Sequence, residues 1–87
     1  MFIILTYDIE EKRINRVRKA LKKYLTWTQN SVFEGEITEG KLHKCLSEVN
    51  KLIDKKTDSL YIYIVKNPRN IKKTVVGIEK SFDELFL

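Results

Sequence analysis

Eighty-seven residues and 10.3 kDa allow one domain, spanning residues 1–87, and exclude a two-domain reading, because single domains usually run to about 100 residues. A 43% hydrophobic content with only three Gly and one Pro suits a folded globular chain and leaves no material for a collagenous or low-complexity protein. Lys and Arg number 17 against 12 Asp and Glu, and the resulting +5 charge favours polyanionic partners, nucleic acid foremost.

Cys45 is the single cysteine and cannot close an intrachain disulfide, so a reducing compartment, the cytoplasm, is the expected location. The opening MFIILTYDIEEK has no basic residue ahead of its apolar run and acids directly behind it, the wrong order for a secretion signal. No run approaches the roughly 18 apolar residues of a membrane span, and no membrane partner is expected.

Phe2 to Tyr7 form an unbroken apolar or β-favouring run, which predicts a central strand. From Glu11 to Leu25 the residues Ile14, Val17, Leu21 and Tyr24 or Leu25 recur at spacings of three and four, the signature of a helix with one buried face. TWTQNSVFEGEI, from Thr26 to Ile37, suits either a hairpin turning at Asn30-Ser31, with a bulge at Gly35, or one long kinked strand. Thr38 is placed to cap a second helix in which Leu42, Leu46, Val49 and Ile53 share a face. Leu60 to Val65 reads as a strand ended by the turn chemistry of Lys66 to Asn70. Thr74 to Ile78 predicts one further short strand, and Ser81 to Leu87 an apolar turn or tail.

Two βαβ-like units joined by a hairpin, with right-handed crossovers, give an α+β, ferredoxin-like sandwich: an antiparallel sheet with both helices on one face. The other face is left bare. Because Tyr61 to Val65 are apolar at consecutive positions, both faces of that strand call for burial, and a second copy of the chain is the economical cover. A homodimer is expected.

Asp8 sits where the first strand hands over to the first helix. With Glu11 three residues later it has the spacing of a capping box, and a carboxylate so placed also suits a magnesium site if a two-fold axis supplies its mate. Seven basic residues, Lys12, Arg13, Arg16, Arg18, Lys19, Lys22 and Lys23, crowd the first helix against the single acid Glu11. They read either as a phosphate-contacting strip, with Lys12, Arg13, Arg16, Lys19 and Lys23 as its binding residues, or as a solvated face. Lys66, Arg69, Lys72 and Lys73 make a second basic group around the late turn. Trp27, Phe33, Tyr61 and Tyr63 suit core or dimer contacts better than base stacking. His43 has no metal-ligand spacing and reads as surface, and Cys45 as a packed thiol. Neither a Gly-rich phosphate loop nor a Gly-x-Ser-x-Gly elbow is present, which removes two common enzyme classes.

The strand ending in Tyr7-Asp8-Ile9, the basic helix near Arg13, the string Gln29-Asn30-Ser31-Val32-Phe33-Glu34-Gly35-Glu36, and Asp58-Ser59 before an apolar strand together resemble the CRISPR-associated protein 2 family. The likeness covers nearly the whole chain in the correct order. It implies a ferredoxin-like homodimer whose late strand crosses to extend the partner's sheet, paired with a CRISPR integrase subunit in spacer acquisition. It further implies a metal-dependent endonuclease, with Mg²⁺ or Mn²⁺ held by Asp8 and its mate across the dimer axis, and Tyr7, Ser31 and Phe33 as further catalytic positions. Arg13 and Arg16 are the basic positions it carries over. Where some nuclease-active relatives have an Arg two residues before the Gln, this chain has Trp27. The alternatives are a non-catalytic DNA-bridging scaffold and a toxin-type ribonuclease of the same small fold, acting on RNA.

Overall fold

In the computed structural model, which describes residues 1–78, the first apolar run is a strand, β1 (Phe2–Asp8), buried at every second residue. Ile3, Leu5 and Tyr7 face the core, whereas Phe2, Ile4 and Thr6 are only partly covered and Asp8 is exposed. The helix α1 (Glu11–Leu21) follows, burying Val17, Ala20 and Leu21. It ends four residues before the predicted limit: the chain turns at Lys22 to Tyr24, and Leu25 folds back into the core with its N–H on the Leu21 carbonyl at 2.9 Å.

Of the two readings of Thr26 to Ile37, the hairpin is the one formed, with β2 (Thr26–Gln29) and β3 (Val32–Glu36) joined at Asn30-Ser31. The irregularity lies between Trp27 and Gln29, not at Gly35, which pairs in register with Ile3. In α2 (Glu39–Asn50) the Thr38 side chain accepts the Lys41 N–H at 3.2 Å, the predicted cap, and Leu42, Cys45 and Val49 are buried. Burial pushes the Cys45 thiol up to about 11, so it stays protonated and unreactive at neutral pH. β4 (Ser59–Val65) and a short 3₁₀ turn, Pro68–Asn70, complete the described elements.

The sheet order is β2-β3-β1-β4, all neighbours antiparallel, with β1 central as predicted. Residues from both helices join Ile3, Leu5, Tyr7 and Phe33 in one core cluster, so both helices cover the same face. The register sets Ile4 opposite Tyr63, Thr6 opposite Tyr61 and Asp8 opposite Ser59, and directly paired residues share a face. That helix-free face carries Tyr61 and Tyr63, 60% and 53% exposed, and Asp8 stands at its end.

Thr74 to Ile78 forms no strand within this chain. Val76 and Ile78 are 95% and 86% exposed, because a strand exists only where a ladder partner meets it and none does so here. The expected Ser81 to Leu87 turn or tail lies outside the described residues.

Candidate metal and nucleic-acid site at the end of β1

Asp8 is exposed, and among the described residues its carboxylate enters no hydrogen bond or ion pair. The Asp8–Glu11 capping box is not formed. The helix starts two residues later than that box requires, at a cap residue, Glu10, whose own side chain caps nothing. The group that takes up the helix-start amide comes instead from the loop before β4: Asp58 Oδ1 accepts the Glu10 N–H at 3.0 Å.

Asp58 is the buried acid of this end of the molecule, its side chain 0% exposed. Oδ1 also accepts from Arg13 Nη2 at 3.0 Å, and Oδ2 accepts from Arg13 Nε at 2.6 Å and from the Asp54 N–H at 2.9 Å. Both oxygens are thus filled to their capacity of about two donors each. The Arg13 hydrogen bonds, helped by the two backbone amides, hold this carboxyl far below the usual carboxylate range.

This alters the expected role of Arg13. Its guanidinium is forked onto Asp58, reaches Thr57 Oγ1 at 3.0 Å and Glu10 at 3.3 Å, and is only 16% exposed. It ties α1 to the β4 loop and does not stand ready for phosphate. Arg18 is likewise engaged: its Nε donates to the Tyr7 hydroxyl at 2.9 Å and its Nη2 to the Asn30 carbonyl at 3.1 Å. Lys12 lies 3.7 Å from Glu10, and Lys23 lies 3.4 Å from Glu48, which Tyr24 also holds by a 2.9 Å hydrogen bond. Lys22 stands 5.0 Å from the centre of the Trp27 ring. Arg16 and Lys19 are exposed and make no hydrogen bond or ion pair among the described residues. The seven-residue strip therefore divides into cations that hold the fold and cations that face solvent.

Tyr7 and Phe33, expected as catalytic, are both buried in the single chain, in supporting contacts. Tyr7 is 5% exposed and its hydroxyl donates to the Asn30 carbonyl at 2.6 Å, while its N–H donates to the Ser31 carbonyl at 3.1 Å. Phe33 is fully buried and stacks on Trp27 with ring centroids 6.0 Å apart. A side chain enclosed in the core cannot touch a nucleic-acid substrate. Ser31 remains exposed on the hairpin turn, which the Tyr7 contacts pin beside the end of β1, next to Asp8.

Among the described residues no group of three or more His, Cys, Asp or Glu could hold a metal ion within one chain. The donor chemistry at Asp8 nonetheless fits magnesium, a hard cation that takes one or two carboxylate oxygens and keeps several waters.

The sequence profile described as "CRISPR associated protein Cas2" matches residues 1–73. The chain belongs to the Cas2 family. It is 63% identical over 80 residues to "CRISPR-associated endoribonuclease Cas2 3" of Thermodesulfovibrio yellowstonii, a match covering 92% of this chain and 91% of that relative. It is 42% identical over 83 residues to "CRISPR-associated endoribonuclease Cas2" of Thermotoga maritima, covering 95% of each. A crystal structure of Cas2 superposes with a TM-score of 0.82 at 42% identity, covering 93% of this chain and 91% of the other. Cas2 of Streptococcus pyogenes, solved at pH 6.5, gives 0.74 at 31% identity, covering 87% and 100%. In this Cas2 chain the Trp27 position, where some relatives were expected to have Arg, is a buried ring with the Arg18 guanidinium 4.6 Å from its centre.

Two residues escaped the sequence reading. In the sequence Asp58 stands only as part of the Asp58-Ser59 motif, although an acid directly before a strand of apolar residues is a candidate for burial. Arg18 is one basic residue among seven on its helix, and nothing in its local spacing distinguishes it from Lys19.

Proposed function

We propose that this Cas2 chain is a magnesium-dependent endonuclease of the spacer-acquisition machinery, working as a symmetric homodimer, with RNA its first substrate to test and DNA the second. The observation that carries the reading is Asp8: an uncommitted carboxylate at the end of the helix-free face, the face whose exposed tyrosines call for a second copy. Stacking of two such faces about a two-fold axis would supply a second Asp8. Endoribonuclease relatives over nine-tenths of the chain support the choice of RNA.

When bound, Mg²⁺ would polarise a water and offset the charge that develops on the phosphate. Asp8 would hold it, with Mn²⁺ as a substitute. Arg16 and Lys19 supply cations for the flanking phosphates. The Ser31 hydroxyl, carried on a turn that Tyr7 fixes, is available to orient the phosphodiester.

The test is cleavage of labelled RNA and DNA oligonucleotides with and without magnesium. Asp8→Asn should abolish it and chelator should mimic the substitution. Full magnesium-dependent cleavage by Asp8→Asn would remove the reading. The cationic surface by itself favours a second reading, a DNA-bridging scaffold held against the integrase subunit. Its mark is duplex binding that survives chelator and Asp8→Asn while the native chain never cleaves.

A further inference from the structure

Between Tyr7 and Glu10 the chain passes from sheet to helix, and Asp8 is the exposed side chain of that crossing. On the sheet side Tyr7 is fixed by its N–H on the Ser31 carbonyl and Asp8 itself pairs in register with Ser59. On the helix side the crossing is fixed by Asp58, the residue next to Ser59, through the Glu10 N–H and the Arg13 fork. Ile9, between them, is buried. We infer that Asp58, held by Arg13, is a positioning residue for Asp8: it sets where the exposed carboxylate points without itself touching metal or substrate.

Three observations separate this from an ordinary buried ion pair. Asp58 spends all its acceptor capacity on protein donors, which leaves none for a metal. The amides it holds lie on two separate segments, the β1–α1 crossing that carries Asp8 and the loop at Asp54, so its loss releases the crossing from the loop that leads into β4. The fork geometry is specific to Arg, since a Lys at position 13 would offer one point charge where two parallel N–H groups now bind. Groups hydrogen-bonded directly to a metal ligand typically change metal affinity by about 10- to 100-fold when altered, and Asp58, which acts on the backbone two residues from Asp8, belongs at the lower end of that range.

The inference rests on Asp8 being the metal ligand, so the experiment reads metal binding directly and needs no cleavage. Full-length protein is titrated with Mn²⁺, and the free ion is followed by its electron paramagnetic resonance signal. Native chain should bind, and Asp8→Asn should not. Asp58→Asn should weaken binding by about tenfold or more, and Arg13→Lys should weaken it in the same direction while keeping the charge. The double substitution should be no worse than the weaker single one, because the two residues act as one unit. If Asp58→Asn fails to fold, Arg13→Lys carries the test alone. Native-like Mn²⁺ affinity in folded Asp58→Asn and Arg13→Lys, with binding lost in Asp8→Asn, would overturn the inference and leave the proposed function standing. Unchanged binding in Asp8→Asn would overturn both. Variants that lose only thermal stability, with Mn²⁺ affinity intact, would assign the pair a purely structural role and also overturn the inference.

Discussion

Arg18 and the Tyr7 hydroxyl form a closed relay under the β2–β3 hairpin. The guanidinium donates to the hydroxyl at 2.9 Å, the hydroxyl donates to the Asn30 carbonyl at 2.6 Å, and the guanidinium returns to the same carbonyl at 3.1 Å. A carbonyl at the tip of a turn is thereby bound by two side chains, one from the central strand and one from α1. The consequence is that the turn bearing Ser31 keeps its place beside Asp8, and that Arg18 is not available for phosphate.

The division of the basic strip can be counted by salt titration. Each phosphate contact with duplex DNA contributes about 0.9 to the slope of log K against log salt. Arg16→Ala with Lys19→Ala should flatten that slope by about one to two units and leave the melting temperature unchanged. Arg18→Ala should lower the melting temperature and leave the slope nearly as it was. Equal slopes for the native chain and the Arg16, Lys19 variant would show that these cations only solvate the helix.

The Asp58 carboxyl gives an acid limb with a defined sign. Its folded value lies below the unfolded one near 3.9, so the stability it confers is complete above about pH 4 to 5 and is lost as pH falls toward the folded value. Urea midpoints measured between pH 7 and pH 2.5 should fall steeply below pH 4 in the native chain. In Asp58→Asn the midpoint should be lower at pH 7 and the fall much shallower. Parallel curves for the two proteins would refute the assignment.

Phe33 should prove to be a matter of packing. Truncating a fully buried Phe to Ala typically costs about 3–5 kcal/mol, so Phe33→Ala should lower the unfolding free energy by that order or fail to fold. Phe33→Leu, which keeps most of the volume, should fold and retain whatever nucleic-acid binding and cleavage the native chain has. A well-folded Phe33→Leu that binds normally but has lost cleavage would restore a catalytic role.

The helix-free face predicts a dimer. Sedimentation should give twice the 10.3 kDa chain mass at micromolar concentration. Tyr61→Lys with Tyr63→Lys should yield the single-chain mass with helical circular dichroism intact, because both side chains point away from the core. Truncation before Thr74 should weaken the dimer if that exposed segment crosses to the partner. An unchanged mass for the tyrosine variant would place the contact elsewhere.

The elements were legible where local pattern and tertiary need agree. The spacing of Val17 and Leu21, the Thr38 cap, the Asn30-Ser31 turn and the central β1 are each dictated by side chains a few residues apart, and each is present. Within the single chain Thr74 to Ile78 forms no strand, because β propensity by itself supplies no hydrogen-bond partner. Asp8 was placed correctly at the strand end. Its capping alternative failed because another acid, from a distant part of the chain, took the helix-start amide.

The sequence by itself determined the order of strands and helices, the buried face of each helix, the bare face of the sheet and the position of Asp8. These depend on periodicity and turn chemistry, which a single stretch of chain contains. Only the tertiary structure decided which cations are spent. Arg13 finds Asp58 across 45 residues and Arg18 reaches Asn30 across 12, and both pairings exist because the sheet register and the packing of α1 bring those groups within hydrogen-bond distance. Charge on a helix is a local property, but its partner is not. For the same reason a motif could name Phe33 and Tyr7, yet their burial is a property of the assembled core that only the packed structure displays.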